Sequence, residues 1–251
     1  MAIDWRTLPS LTALRAFAAT AELRSFSQAA RVLNVTHAAV AQQVRAVEAL
    51  RAGEADRPVR LTLTASFAAQ WLMPRLKDFW EKYPDIGLSM HPDARVVDMH
   101  RERMDLGIRY GNGVWPGVEA TYLTSGRLVV AGAPSLLGDR ERLTPEEMRE
   151  MDWVLQRNWP EQDAYLRQLG LEPETLSRTD LSGEELVIAA ARQGLGLAVE
   201  SLALIESDVD GGRLRVVHES REKLPAYFIV TLPGPQRAAA RAFLKWLKTQ
   251  A

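Results

Sequence analysis

The chain has 251 residues, with 31 Lys and Arg against 32 Asp and Glu, and a formal net charge of -1. Its composition, 47% hydrophobic and 25% charged, excludes a chain that is disordered throughout. The length allows one large domain or two smaller ones. The near-neutral charge argues against a uniformly basic nucleic-acid-binding surface, although one module can still carry a basic patch. The absence of cysteine excludes disulfides and cysteine metal sites.

The first residues do not resemble an export signal. Asp4, Arg6 and Arg15 interrupt any apolar segment near the start, and no stretch approaches the roughly 18 apolar residues of a membrane span. We therefore expect a cytoplasmic protein without a membrane partner.

Residues 10–50 have helical periodicity. Apolar residues from Leu11 to Ala21 recur at helical spacing, and Ser25 stands three residues before Gln28, the spacing of a capping box. Asn34 tolerates a left-handed turn conformation, and Thr36 is a residue that caps helices. This pattern predicts two helices, a short turn and a third helix.

The third predicted helix has two different faces. Val40, Val44 and Val47 share one face, whereas small and polar residues, among them His37, Gln42 and Arg45, share the other. A helix-turn-helix requires such a helix, because the outward face enters the major groove of DNA. Thr36 and Ser27 stand where hydroxyls contact phosphate near helix N-termini. The alternative is a small helical bundle whose third helix is only solvated.

From Val59 the pattern changes to alternating strands and helices. This alternation predicts an α/β domain with a mainly parallel sheet. Strands are predicted near 59–64, 86–90, 105–110, 128–133, 153–156, 194–199, 213–217 and 226–232. Helices are predicted through Leu72–Phe79, from about Val96, from Thr144, from Ser182 and through Ala239–Leu247. Thr144-Pro145-Glu146-Glu147 combines a cap, a first-turn proline and a capping-box glutamate.

Residues 25–48, SFSQAARVLNVTHAAVAQQVRAVE, resemble the DNA-binding signature of LysR-type transcriptional regulators. The segments FAAQWLMPRLKDF, DLGIRYGNGVWPG, LVVAGAPSLL and ARQGLGLAVESL resemble the branch that contains the glycine-cleavage-system activator. The residues that match the family motif outright are Ser25, Ala29, Ala30, Leu33, Ala39, Gln43 and Glu48. His37 replaces the usual Gln and Ala41 the usual Ser, so the operator preference is expected to differ.

The resemblance implies a DNA-binding regulator controlled by a small effector. With the matching Gln43 included, the predicted DNA-binding residues are Ser27, Thr36, His37, Gln42, Gln43 and Arg45. Expected partners are double-stranded DNA, a small polar or anionic metabolite, and further copies of the chain through the effector domains.

The chain departs from the family at the junction after the third helix. Family members continue into a wing and a linker helix that pairs between subunits, and neither is present here. Residues 51–57 form only a short junction between a truncated helix-turn-helix domain (1–50) and an effector domain (58–251). About nine extended residues span about 30 Å, whereas two helix-turn-helix units sit roughly 34 Å apart on DNA. The alternative function is a small-molecule binding module with a vestigial, DNA-binding-impaired head.

The same resemblance implies that 58–251 has the type-2 periplasmic-binding-protein fold, with two α/β subdomains around a ligand. Subdomain I is predicted at about 58–126 and 228–251, and subdomain II at about 127–227, with crossings near Ser125–Leu128 and Tyr227–Val230. The fold class is thus α/β behind an all-α helix-turn-helix.

Ligands of open α/β sheets lie at the carboxyl ends of strands, beside helix N-termini. The predicted effector-binding residues are Ser66, Phe67, Arg109 and Ser182. For Ser66 and Ser182 the alternative is plain helix capping, since Ser182 and Glu185 have capping-box spacing.

No enzyme motif stands out. The four histidines, at 37, 91, 100 and 218, have no paired spacing of metal ligands. Gly194-Leu195-Gly196 lacks the third glycine of a dinucleotide fingerprint, and there is no nucleophile elbow. We therefore predict no catalytic residues, no metal and no cofactor.

Overall fold

The computed structural model describes residues 9–55, 57–93, 98–221 and 225–250. The chain divides into two compact units, of which the first ends at Pro58 and the second begins at Val59; the short stretch Arg237–Ala239 groups with the first. The change of sequence pattern at Val59 coincides with this division.

The first unit contains three helices: α1 (Leu11–Leu23), α2 (Phe26–Leu33) and α3 (His37–Ala55). Ser25 caps α2, since its hydroxyl accepts a hydrogen bond from the Gln28 amide at 3.3 Å, and Asn34 ends the helix in the left-handed conformation (φ 53°). Thr36 caps α3 by accepting from the Ala39 amide at 3.1 Å. The caps at Ser25 and Thr36 and the turn at Asn34 are confirmed, but among the described residues no bond from the Gln28 side chain completes the capping box.

The helix α3 is longer than the sequence pattern indicated. It runs without interruption for 19 residues to Ala55, about 28 Å at 1.5 Å per residue. The predicted extended junction 51–57 is therefore helical over most of its length, because RAGEA contains good helix formers and its single glycine costs only about 1 kcal/mol.

One lobe of the second unit is built on a five-stranded sheet in the order β2-β1-β3-β10-β4. Its strands are β1 (Val59–Leu63), β2 (Leu88–Pro92), β3 (Leu106–Gly111), β4 (Glu119–Ser125) and β10 (Ala226–Thr231). β1 pairs in parallel with β2 and β3, whereas β10 runs antiparallel to β3 and β4.

The β1 strand is covered on both faces. Leu61, Leu63 and the intervening Thr62 are all buried, as expected for an inner strand of a parallel arrangement. A π-helical segment (Phe67–Leu72), a 3-10 turn (Met73–Arg75) and α4 (Leu76–Lys82) follow, and α10 (Ala238–Leu247) completes the lobe. Phe79 of α4 contacts Phe243 and Trp246 of α10 at ring distances of 5.0 Å.

The other lobe carries a three-stranded sheet in the order β8-β5-β9 and a two-stranded parallel pair, β6-β7. Its strands are β5 (Leu128–Gly132), β6 (Trp153–Gln156), β7 (Arg178–Leu181), β8 (Ala198–Ser201) and β9 (Arg215–Glu219). Its helices are α5 (Pro134–Leu137), α6 (Pro145–Arg149), α7 (Pro160–Gln168), α8 (Glu184–Arg192) and α9 (Leu202–Asp210). The capping box predicted at Thr144 and Glu147 is complete.

Several expectations need correction. The sheets are not mainly parallel, because β10 runs antiparallel to β3 and β4 and the three-stranded sheet is antiparallel throughout. The first crossing between lobes lies between Ser125 and Leu128, as predicted. The second lies between Glu219 and Ala226 rather than within Tyr227–Val230, since Tyr227 already pairs inside the five-stranded sheet. The helix predicted from about Val96 begins outside the described residues.

Candidate functional site

The outward face of α3 is polar and accessible, while its inner face forms the core of the first unit. Val40 and Val44 are buried against Ala16, Ala29 and Ala30 of the other two helices. Five of the six predicted DNA-binding residues have exposed side chains: Ser27, Thr36, His37, Gln42 and Arg45. This arrangement presents donors and a cation on one surface, as a recognition helix requires.

Two of the predicted DNA-binding residues also have contacts within the unit. Gln43 is half-buried, and its amide oxygen accepts a hydrogen bond from the Ser10 hydroxyl at 3.4 Å. The His37 ring lies 5.8 Å from the ring of Phe26. These contacts tie the start of α3 to α1 and α2, so they orient the polar face.

In the second unit, a buried aromatic group surrounds the carboxyl end of β1. The Tyr227 ring on β10 lies 4.7 Å from Phe67 and 5.2 Å from Tyr110. Ser66, which precedes Phe67, is 1% exposed, and its hydroxyl lies close enough to the Glu184 carboxyl to lower the pKa of that carboxyl. The structure therefore brings predicted residues Ser66 and Phe67 together with two tyrosines that sequence reasoning missed.

Acidic residues of the other lobe meet this group. Burial raises the pKa of Glu184 to about 7, with the nearby Ser66 hydroxyl opposing the shift and Glu185 adding to it. Burial also raises the pKa of Glu200 well above its ordinary value, and the charges of Glu184 and Glu185 add to the effect. The result is a carboxyl-rich, weakly hydrated cleft wall.

The pKa of the two tyrosines reports the same environment. Burial and the charges of nearby glutamates, Glu184 and Glu200 among them, raise the pKa of both Tyr110 and Tyr227. Both phenols therefore stay neutral, and the Tyr110 hydroxyl donates to the Gly126 carbonyl oxygen at 3.3 Å. We define the cleft cluster as Ser66, Tyr110, Glu184, Glu200, Ser201 and Tyr227.

Two predicted effector-binding residues lie apart from the cleft cluster. Arg109 alternates with Tyr110 along β3, so its side chain extends from the opposite face of the sheet. There its guanidinium donates to Thr62 Oγ1 at 3.0 Å and lines a separate cavity of about 510 Å³ with Trp115 and Val230. Burial lowers the pKa of Arg109.

Ser182 neither joins the cluster nor caps α8. Its side chain is exposed, and the N-cap of α8 is Gly183, without a side-chain hydrogen bond. The capping box expected from Ser182 and Glu185 is thus wrong by one residue, because the helix starts after Gly183 rather than after Ser182.

The sequence held one signal for Glu200. It is the charged residue that follows the apolar run GLGLAV, and a charge at the end of a buried strand is a candidate for a site.

Among the residues that the structure describes, no group of three or more His, Asp or Glu side chains has the geometry to hold a metal ion. The same part of the chain includes no helix that is long and apolar enough to cross a membrane.

Two protein-family models match the chain. Residues 11–52 match "Bacterial regulatory helix-turn-helix protein, lysR family", and residues 52–251 match "LysR substrate binding domain". The chain belongs to the LysR family. It is a transcriptional regulator with a helix-turn-helix head and an effector-binding domain, as the sequence resemblance implied.

Individual LysR-family relatives agree with this assignment. The chain is 44% identical to the AhcY transcriptional activator HvrB of Rhodobacter capsulatus, with 99% of each chain covered. It is 29% identical to the glycine cleavage system transcriptional activator of Escherichia coli, with 83% of this chain and 82% of that one covered. The solved effector-binding domain of AmpR from Citrobacter freundii superposes with a TM-score of 0.66 at 25% identity, over 77% of this chain and 97% of that one.

This LysR-family chain is shorter than HvrB. Their alignment runs over 289 positions and this chain has 251 residues, so at least 38 aligned positions have no counterpart here. The two family models meet at residue 52.

Proposed function

We propose that this regulator contacts duplex DNA through the exposed residues of α2 and α3. This proposal rests on the two faces of α3. Its valines are buried on one face, whereas Gln42 and Arg45, together with the cap residue Thr36, lie exposed on the other. Arg45 is the cation of this set, so it supplies a phosphate contact or a guanine contact. Gln42 and His37 supply base-edge hydrogen bonds.

We further propose that a small polar metabolite binds the cleft cluster of the effector unit. A ligand shifts the regulator only by binding one arrangement of the two lobes more tightly than another. What supports this site is the convergence of polar side chains from both lobes on one buried location. The protein would act in the cytoplasm as a homo-oligomer, which suits the two half-sites of helix-turn-helix operators.

DNA binding is tested by fluorescence anisotropy with the DNA upstream of the chain's own gene. We expect salt-sensitive binding, and we expect Arg45→Ala to weaken it about 10-fold and to reduce the salt slope by about one. The matched control is Arg167→Ala, because Arg167 is an exposed arginine of the effector unit that pairs with Glu172 and Glu174. Equal binding by the two variants would reject the proposed interface.

The shortened junction calls for a second experiment. We expect a chimera that carries the additional HvrB segment after residue 52 to bind the same DNA more tightly and with a larger salt slope. If the natural chain shows no binding and the chimera does, the head of this chain is impaired and the small-molecule module becomes the better description.

A further inference from the structure

The cleft cluster contains polar atoms that this chain does not satisfy. Both carboxyl oxygens of Glu200 are buried without a hydrogen-bond partner among the described residues, and Glu200 is only 1% exposed. The hydroxyls of Ser66 and Ser201 lie beside Glu184 and Tyr227, respectively. Because buried polar groups in native proteins are nearly always hydrogen-bonded, the two Glu200 oxygens indicate a site for a polar ligand.

The charges around these atoms are all of one sign. Glu184 and Glu185 both raise the pKa of Glu200, and no ion pair joins any of these three glutamates to a cation in the described part of the chain. The guanidinium of Arg192, on the same helix as Glu184, is committed to Asp208 at 2.6 Å and to Gln70 at 2.8 Å. A carboxyl buried without a cation stays protonated, so these glutamates become a charged site only when a ligand brings the positive charge.

We propose that the effector of this cleft carries a primary ammonium group, which pairs with Glu184 and Glu200 while the hydroxyls of Ser66 and Ser201 bond its neighbouring polar atoms. This inference rests on the proposed function, in which the cleft cluster is the effector site. It replaces the expected small polar or anionic metabolite with a cationic or zwitterionic one of amino-acid or amine type.

An ammonium group fits this set better than a metal ion does. A compact ammonium needs three acceptors, which two carboxylates and one hydroxyl supply. Calcium takes six to eight oxygen ligands, and magnesium demands near-ideal octahedral geometry. The described residues do not provide such a set at this place.

The ammonium also couples ligand binding to lobe closure. Ser66 belongs to one lobe, whereas Glu184, Glu200 and Ser201 belong to the other, and three of these four side chains are almost completely buried. The ligand reaches them only when the lobes separate. Without a cation, closure requires Glu184 and Glu200 to stay protonated in a poorly hydrated space beside Glu185, Tyr110 and Tyr227, and a cation allows both carboxyls to ionise.

The test uses the full chain and matched triplets of small compounds: alanine, lactate and ethylamine, then serine, glycerate and ethanolamine. We expect the ammonium-bearing members to raise the melting temperature in a saturable way and the hydroxy acids to leave it unchanged. Comparison of the amino acids with the simple amines then tells whether a carboxylate contributes as well. Calorimetry in two buffers of different ionisation enthalpy should show proton release at pH 6, because the carboxyls must ionise to pair with the ammonium.

Two isosteric variants and one control make the assignment specific. Glu200→Gln and Glu184→Gln should each weaken amine binding at least 10-fold and reduce the proton release, as expected for the loss of a charge-assisted hydrogen bond. Glu172→Gln removes an exposed carboxylate of the same lobe and should bind as the natural chain does. If circular dichroism shows that Glu200→Gln or Glu184→Gln does not fold, the other of these two variants is used for the test.

Several results would overturn the ammonium assignment. The assignment is rejected if no amine of the panel stabilises the chain, or if the hydroxy acids stabilise it as much as the amines do. It is also rejected if both glutamine variants still bind amines as the natural chain does. Hydroxy-acid binding that Ser66→Ala abolishes would keep the cleft as the effector site and reject only the cation. DNA binding is measured separately, by fluorescence anisotropy on the same preparations. A failure of the proposed DNA binding is thereby distinguished from a failure of the ammonium assignment.

Discussion

Arg192 holds Asp208 with two hydrogen bonds, from Nε at 2.8 Å and from Nη2 at 2.6 Å. Asp208 is completely buried and also accepts a bond from Arg213 Nε at 2.6 Å. The Nη2 atom of Arg192 donates to Gln70 Oε1, at 2.8 Å, in the other lobe. One buried carboxylate thus fixes the arginine that bridges the two lobes.

We expect Arg192→Ala to lower the free energy of unfolding by about 3 kcal/mol, because it leaves Asp208 buried with only one cation. Urea denaturation followed by circular dichroism measures the change. Arg167→Ala is the control, since it removes exposed ion pairs with Glu172 and Glu174 and should cost less than about 1 kcal/mol. Equal losses in the two variants would mean that burial of Asp208 contributes nothing to the effect.

Gly126 lies at the first crossing between the lobes and leaves no room for a side chain. A Cβ atom there would lie 2.5 Å from the Tyr110 ring and 2.7 Å from the Pro225 carbonyl oxygen. We expect Gly126→Ala to destabilise the effector unit by about 3 kcal/mol, as overpacking against backbone does. Gly117→Ala separates this clash from conformational strain, because Gly117 has positive φ but open space and should cost only about 1 kcal/mol.

The small core of the head makes it sensitive to the loss of a single buried side chain. Val44 packs there with Val40, Ala16, Ala29 and Ala30, so we expect Val44→Ala to lower head stability by about 2 kcal/mol through lost burial. Val32→Ala, at a position 70% exposed, should change it by less than about 0.5 kcal/mol. Loss of helical signal in urea checks both variants, and a similar midpoint for the two would contradict the assigned core.

The sequence predicted those features that depend on local chemistry. The caps at Ser25 and Thr144 are present because each hydroxyl needs only an amide three residues ahead. The left-handed turn at Asn34 and the buried valines of α3 follow from similarly short-range rules. The strand β4 was missed, because EATYLTS has mostly exposed residues and its partner β10 lies about a hundred residues away.

The cleft cluster depends on long-range packing, which explains why only Ser66 of its six residues was predicted. Ser66 and Phe67 follow a recognisable strand end, whereas Tyr227 and Glu200 join them only through pairing of β10 with β3 and of β8 with β5. Arg109 was assigned to the cleft because it stands at the end of a predicted strand, near the level of the expected ligand. The alternation of side chains along β3 puts it on the other face of the sheet.

The raised pKa of Glu184 makes stability depend on pH in a defined direction. Its carboxyl has a pKa of about 7 in the folded chain and an ordinary value of 4.5, so the unfolded chain loses the proton first as pH rises. Stability from this group is therefore complete below about pH 4.5 and is lost as pH rises to about 7, by up to about 3 kcal/mol. Glu200 extends the loss to higher pH, since burial raises its pKa too.

Glu184→Gln isolates this contribution, because the amide does not titrate. We expect the variant to lose less stability than the natural chain between pH 5 and pH 8, measured by urea denaturation at each pH. His218, whose pKa is lowered by burial, acts in the opposite sense below about pH 6.5, but it is present in both proteins and cancels in their difference. Parallel profiles for the two proteins would show that the Glu184 carboxyl is as well hydrated when folded as when unfolded, and would remove the electrostatic basis for a cation in the cleft.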